Sequence, residues 1–454
     1  MGYKKVVSKM DYMKIYNKLP ILGQNVACSI EGNRLKTLRW GGYFRERLEF
    51  YKKSDSWSAE QVSEYQDEKL KELVVHAYET VPYYKKLFGD YGFDPYTFKH
   101  SDELRKLPIL TKDIVQENYK DFISTADLDS KTHIHRTGGT TGKSMLIYET
   151  WHDQADQWAV CWRYREKVGI PFGTWGGEFA SKLVVPQSQV KPPYWRWNRA
   201  EHRLFFSPFH LDDSTVLDYA EGLKNVKWIH GYTSKLVDLA NRLMEKGIYV
   251  PMEHVTIGAE NLYETQKNIL EKTFSCKVYQ HYAMTEAAAN ISQQPDGTLR
   301  VDEDFCFLEF IEDERGSAII GTNLMRKRMP LIRYKTGDYA KVTDRKADGF
   351  RVVDSFEGRE FEYLYKGDGK TITGVEIDEE VISKVEHIAE AQLLQKKDHS
   401  IEVRIHRAEG YDEGDEKLLQ SKLSEVLYGD QISIKYVDKI ESEKNGKRKL
   451  ILKE

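Results

Sequence analysis

Arg136-Thr137-Gly138-Gly139-Thr140-Thr141-Gly142-Lys143-Ser144 packs three glycines, a row of hydroxyl side chains and a lysine into nine residues. Glycines let backbone N–H groups converge on an anion with no Cβ in the way, hydroxyls add donors, and lysine adds a point charge, so the composition is that of a phosphate cradle. The loop of kinases and GTPases is excluded by spacing. That loop needs four residues between its first glycine and Gly-Lys-Ser/Thr, whereas Gly138 and Gly142 are separated by three and Thr137 stands where the glycine belongs. The flanks also differ, because Thr132–His135 and Met145–Tyr148 both read as short strands, whereas a P-loop opens into a helix. Two readings stay open from these residues alone: a phosphate loop carried between strands, or a plain hairpin turn.

Composition narrows the class. A chain of 454 residues is long enough for two or three domains. With 68 Lys+Arg against 72 Asp+Glu, the net charge of −4 argues for neither nucleic-acid nor membrane-surface binding. The four cysteines are widely spaced and lack CxxC pairing, which reads as buried or idle thiols in a reducing cytosol. No leader-like segment and no apolar run of about 20 residues is present, so a cytoplasmic protein without membrane insertion is expected.

Working outward, Leu70, Leu73, Val74 and Ala77 form a helical stripe ending near Val81-Pro82. Leu107-Pro108-Ile109-Leu110 reads as extended and leads into a helix capped at Thr111 or Lys112. Ser234 is expected to cap an amphipathic helix, followed by a strand at Val255–Ile257. A capping pair Asn261/Glu264, a second helix and a strand at Val278–Tyr282 come next. From about residue 300 the pattern turns β-rich, with a hairpin at Asp348-Gly349. The last ~95 residues read as a small α+β unit, with a helix over Glu379–His387 and another over Lys417–Leu427. The expected fold class is α/β: a large N-terminal mixed-sheet domain over 1–359, and a small mobile α+β lid over 360–454.

Further short stretches could carry chemistry. His281-Tyr282-Ala283-Met284-Thr285-Glu286 ends a strand with an aromatic face, a hydroxyl and a carboxylate, suited to an adenine stack and a Mg²⁺ or phosphate contact, or simply to a capped helix start. Thr336-Gly337-Asp338 reads as a turn whose carboxylate could accept two ribose hydroxyls. Gly358-Arg359 could bring a guanidinium to a nucleotide, and Asn445-Gly446-Lys447 a lysine on a mobile arm. Each also fits an ordinary surface turn.

In order and spacing these stretches resemble the adenylate-forming superfamily, which contains acyl- and aryl-CoA ligases, peptide-synthetase adenylation domains and luciferases. Gly258-Ala259-Glu260 is similar to the strand end that borders adenine in that family. His76–Lys85, Leu107–Lys112 and Ile229–Ser234 resemble its branch of phenylacetate-CoA ligases, coenzyme F390 synthetases and CapK-type capsular polysaccharide proteins, a resemblance running from about residue 65 to the end. Four departures stand out: Ser144 where many members have proline, Ala283 for the usual glycine, Phe361-Glu362 where the hinge usually has aspartate, and Thr373-Gly374 as a loose match to the glycine loop of the thioester-forming state.

The resemblance implies an AMP-forming ligase using ATP and Mg²⁺, with CoA as a candidate acceptor and a small carboxylic acid as substrate. Thr137, Gly138, Gly139, Thr140, Thr141, Gly142 and Lys143 would hold phosphates. Gly258, Ala259, Glu260, Tyr282, Asp338 and Arg359 would bind the rest of the nucleotide. Lys447, Glu286 and Thr285 would be catalytic, Glu286 as Mg²⁺ ligand. His230, Gly231, Tyr232, His281 and Ala283 would line the acid pocket. Polysaccharide-biosynthesis enzymes are candidate partners. The F390-synthetase likeness keeps adenylyl transfer to a hydroxyl open, and a catalytically silent assembly protein is the remaining alternative.

Overall fold

The computed structural model of the chain describes residues 9–128, 130–136, 145–179, 184–313, 315–357, 363–366, 371–427, 431–441 and 448–454. The N-terminal third is helical. The helix Ala59–Thr80 starts at Ser58, whose hydroxyl accepts from the Gln61 N–H while Gln61 returns a bond to the Ser58 N–H, and it buries Val62, Leu70, Leu73, Val74 and Ala77 along one stripe. Pro82 then opens the helix Pro82–Asp90 at the position where a missing N–H costs nothing. Thr111 caps Lys112–Glu117 as its sequence predicts, accepting from the Ile114 N–H.

β1 (Thr132–Arg136) and β2 (Leu146–Thr150) pair antiparallel, with Arg136 opposite Leu146, and the helix Trp151–Lys167 follows directly. Then come β3 (Gly176–Phe179), β4 (Trp195–Asn198), β5 (Arg203–Phe206), β6 (Trp228–Gly231), β7 (His254–Gly258) and β8 (Val278–Ala283). β9 (Asn290–Gln293), β10 (Leu299–Val301), β11 (Cys306–Asp313), β12 (Gly316–Asn323), β13 (Tyr334–Ala347) and β14 (Phe350–Glu357) complete the large sheet. Among the described residues this sheet has 12 strands in the order β11-β12-β13-β14-β10-β9-β8-β7-β6-β3-β5-β4. The stretch β8-β7-β6-β3-β5 is parallel, and the rest is antiparallel. This is the α/β class expected, with a mixed sheet.

Helices cover the parallel strands, as they must where both faces are buried. Thr233–Glu245 buries Leu236, Val237, Leu239, Ala240 and Leu243 against them. On the other face, Trp151–Lys167 is anchored by Arg163, fully buried and bonded to Asp302 at 2.6 Å and to Asp304. Leu110 docks on β13, its N–H donating to the Arg333 carbonyl and its carbonyl accepting from Lys335.

A second body has its own core. β15 (Tyr363–Tyr365) pairs with β16 (Thr371–Thr373), while β17 (Ile388–Gln395), β18 (Ile401–Arg407), β19 (Ile432–Tyr436) and β20 (Ile451–Lys453) form a sheet in the order β19-β18-β17-β20 around Leu393, Val403, Ile405, Leu419 and Ile451.

Several local expectations are corrected. No helix spans Glu379–His387: the helix runs Gly374–Glu380, and the β-branched Val381 and Ile382 sink into the small core through a 3₁₀ turn at Ile382–Lys384. Ser234 does not cap its helix, because the helix begins at Thr233 and Ser234 serves Glu260 instead. Asn261 and Glu264 are not a capping pair. Tyr263 holds the cap position, with its N–H on Gln266. Thr336-Gly337-Asp338 is not a turn after a strand but a bulge inside β13, with Gly337 at φ +85°.

Candidate functional site

Residues 137–144 lie outside the described residues, but their flanks are the two paired strands that the spacing required. At the base of this hairpin the Glu149 carboxylate is 2% exposed. Its Oε1 meets Nε2 of His133 at 2.9 Å and of His135 at 3.3 Å, and its Oε2 accepts from Arg326 at 2.6 Å. Burial alone would raise the Glu149 pKa, yet His133, Arg326 and His135 hold it below the ordinary value. These three side chains place ligand atoms within 4.8 Å of one another, a metal-like set in donor type. With the carboxylate already bridged by a guanidinium and two imidazoles, the group acts as a strut under the loop.

Arg326 extends the strut. The same guanidinium donates to the carbonyls of Thr285 (3.1 Å) and Glu286 (3.2 Å), tying the turn after β8 to the hairpin. Thr285 and Glu286 therefore sit in a tight turn closed by Ala287 at φ +53°, not at a helix start. The Glu286 carboxylate is 9% exposed and has no ion pair within 4 Å among the described residues. Burial raises its pKa, Asp338 adds to the rise, and Lys112 and Arg326 oppose it. A buried carboxylate that no cation pairs is a hard oxygen donor, which fits Mg²⁺.

Across the strands, the Tyr282 phenol donates to Asp338 Oδ2 at 2.6 Å, and its ring packs on Phe356. The Asp338 N–H is held by Thr336 Oγ1 at 3.1 Å. Tyr282, Thr285, Glu286 and Asp338 are thus brought together, with Lys112 beside them.

At the end of β7, Ala259 adopts a left-handed φ of +65°, a strained conformation for a residue with a Cβ. Glu260 accepts from the Ser234 N–H (2.8 Å) and hydroxyl (3.1 Å), so it serves the N-terminus of the helix Thr233–Glu245. His230 Nδ1 bonds Thr256 Oγ1 at 3.0 Å beside Gly258, and burial with nearby Arg165 pushes its pKa down to about 3. His281, one residue beyond Gln280 and two before Ala283 on β8, stacks on Tyr164 at 4.9 Å. Gly231 has a packing reason: a Cβ there would lie 2.8 Å from Phe179. Tyr232 marks the start of the following helix. Cys161 is a free thiol on the helix Trp151–Lys167. Burial would raise its pKa, but nearby Arg165 and His281 bring it down to about 7.

The second body docks beside this edge. Thr265 donates through N–H and Oγ1 to Asp378, Asn241 donates to the Ala389 carbonyl, and Arg448 bridges Glu390 and Asp238. Arg359 and Lys447 lie outside the described residues.

Residues 364–454 match the family described as the CapK C-terminal domain. The chain is 23% identical over 450 residues to the protein CapK of Staphylococcus aureus, covering 96% of this chain and 98% of that one. It is 24% identical to the phenylacetate-coenzyme A ligase of Escherichia coli, over 73% of this chain and 78% of the relative. Among solved structures it is similar in fold to a 2-hydroxyisobutyryl-CoA ligase in its postadenylation state, with a TM-score of 0.70, 15% identity, and 88% and 91% of the two chains covered. The chain is thus similar to CapK over nearly its whole length and shares the fold of an acyl-CoA ligase. Its relationship to CapK reaches further toward the N-terminus than the motifs starting near residue 65 suggested.

Two residues of the site, Arg326 and Glu149, escaped motif reading. Arg326 lies in Met325-Arg326-Lys327-Arg328, which reads as a solvated basic run, and only its 2% exposure marks it out. Glu149 sits next to a recognisable stretch without belonging to it, although the His-x-His of β1 opposite an acidic β2 residue is a usable signal for it.

Proposed function

We propose that the protein is an ATP-dependent, AMP-forming ligase that joins a carboxylic acid to the α-phosphate and passes the acyl group to a thiol such as CoA. The observation that carries this reading is the convergence of Tyr282 at the end of β8 and Glu286 in the turn after it with Asp338 of the distant β13, tied to the hairpin β1–β2 through Arg326. Asp338 would accept the ribose hydroxyls with the Tyr282 phenol fixing its orientation. Backbone N–H groups of 137–142, with Thr137, Thr140, Thr141 and Lys143, would hold the departing phosphates. Glu286 would ligate Mg²⁺, which supplies positive charge to the leaving pyrophosphate. Lys447 would hold the attacking carboxylate against the α-phosphate, and Arg359 would contact the nucleotide. A lid over 360–454 is supported by the apolar cluster that β15–β20 build, which also takes in Tyr263.

A place in surface-polysaccharide assembly, beside polysaccharide-building enzymes, is supported by the full-length similarity to CapK. Among the described residues no helix is long and apolar enough to cross a membrane, which agrees with work in the cytoplasm. The test is ATP–pyrophosphate exchange across aryl, fatty, amino and sugar acids, followed by thioester detection with CoA. Exchange with none of them refutes the ligase reading.

A further inference from the structure

We infer that the acid activated here carries a second anionic group, a carboxylate or a phosphate, and that Arg165 holds it. This rests on the ligase reading above and concerns the far end of its substrate. In the parallel sheet, Gly176 faces Trp228 and Arg203, Glu178 faces His230, His230 faces Thr256, and Gly258 faces His281. Residues in register point to one face, so Arg203, Glu178, Trp228, His230, Thr256 and His281 share a bed. The helix Trp151–Lys167 covers that bed, with Tyr164 stacked on His281 and Arg165 over the Trp228 ring at 5.0 Å. The bed ends at Gly258, where a Cβ would lie 3.6 Å from His230, next to the Ala259 turn.

Such a bed is unsuited to an apolar acyl group. The Arg165 side chain is part of a residue only 5% exposed, and its guanidinium makes no hydrogen bond among the described residues. The contacts it has are ring faces, Trp162 and Trp228 at 5.0 Å each, which attract the charge but leave its N–H donors unanswered. Arg203 differs: its Nη1 donates to the carbonyls of Thr174 and His202. It adds a like charge, and burial with Arg165 nearby pulls its own pKa down to about 9. His281 Nε2 is likewise buried without a partner. Glu178, Glu201 and the Cys161 thiol are the groups that oppose burial and Arg165 at Arg203. A guanidinium set over ring faces keeps its N–H donors for another partner, and its planar fork is the shape that grips a carboxylate or phosphate. A phenyl or alkyl tail would leave both the fork and His281 unsatisfied in a low-dielectric site, and sites built around buried polar groups reject such analogues strongly.

The test compares wild type with Arg165→Met, which keeps length and packing, and Arg165→Lys, which keeps charge without the fork. ATP–pyrophosphate exchange is measured with C4–C6 dicarboxylates, with phosphorylated hydroxy acids, and with chain-matched monocarboxylates plus phenylacetate. Acids with an anionic tail should exchange at least ~10-fold faster than neutral-tailed ones, and whichever of the two anionic arms wins names the source. Arg165→Met should lower kcat/KM for that arm by roughly 100-fold, with Arg165→Lys in between, while neutral-tailed acids and the KM for ATP move by no more than about 3-fold. Neutral-tailed acids as the best substrates, or an anionic preference unaltered by Arg165→Met in protein with a native circular dichroism spectrum, overturns the inference and leaves the ligase reading standing. Absence of exchange with every acid overturns both.

Discussion

The phenol of Tyr282 donates a 2.6 Å hydrogen bond to Asp338, joining the end of β8 to the bulge of β13 across 56 positions of sequence. Burial, reinforced by the Asp338 charge, drives the Tyr282 pKa far up, so the phenol remains a donor at any physiological pH. Asp338→Ala should weaken ATP binding, and Tyr282→Phe should do so less, by about 10-fold for a charge-assisted bond of ~1.5 kcal/mol. Equilibrium binding of ATP to both variants decides it; unchanged affinity in Asp338→Ala rejects the ribose role.

Arg326 is the hub between Glu149 and the carbonyls of Thr285 and Glu286. Removing one partner of a buried charge pair costs about 3–5 kcal/mol, so Arg326→Ala should lower the urea midpoint and abolish pyrophosphate exchange together. Arg326→Lys, lacking the planar fork, should recover part of the stability and little of the exchange. If Arg326→Ala leaves the unfolding midpoint unaltered, the strut does not carry the hairpin.

Asp378 gives a pH signature to the contact between the two bodies. Burial pushes its carboxyl from 3.8 up to about 6, against the opposing bonds from Thr265. Between these values the folded protein holds a proton that the unfolded chain has lost. The group's contribution is therefore greatest below the unfolded value and declines as pH rises through the window, with no further change above it. Relative to Asp378→Asn, the wild-type Tm should fall as pH goes from 4 to 6 and then run parallel. Parallel curves throughout would show that Asp378 ionises as it does in water.

Lys447 should be needed for chemistry and dispensable for nucleotide binding. Lys447→Ala is expected to abolish pyrophosphate exchange while ATP affinity stays within a few fold, because in the proposed mechanism the lysine would act on the attacking carboxylate and α-phosphate. Normal exchange in this variant removes the assignment. Neighbouring Arg448, bonded to Glu390 and near Asp238, gives a contrast: Arg448→Ala should loosen the docked second body, seen as faster proteolysis between residues 357 and 371.

Gly321 tests the packing behind the site. A Cβ there would lie 2.2 Å from the Ala288 carbonyl oxygen, a backbone atom that cannot swing aside, so Gly321→Ala should cost about 1–3 kcal/mol in urea unfolding.

The sequence by itself determined the α/β class, the strand pair flanking the glycine loop, most helix spans and the order of the stretches proposed to bind nucleotide. These are local properties: periodicity, Thr111 as a cap, Asp348-Gly349 as a two-residue hairpin turn, and glycines where phosphate must approach. Helix starts near Ser234 and Asn261 were misjudged by one to three residues, because a nearby carboxylate, Glu260, and a tyrosine cap outbid the local signal. What only the tertiary structure decided is which charges meet. Arg326 among three basic positions, Glu149 on β2, and Arg165 over Trp228 carry no motif, since their partners come from strands and helices far along the chain. Burial then sets their strength: the same guanidinium that counts for little in water becomes decisive once low-dielectric surroundings remove every other partner.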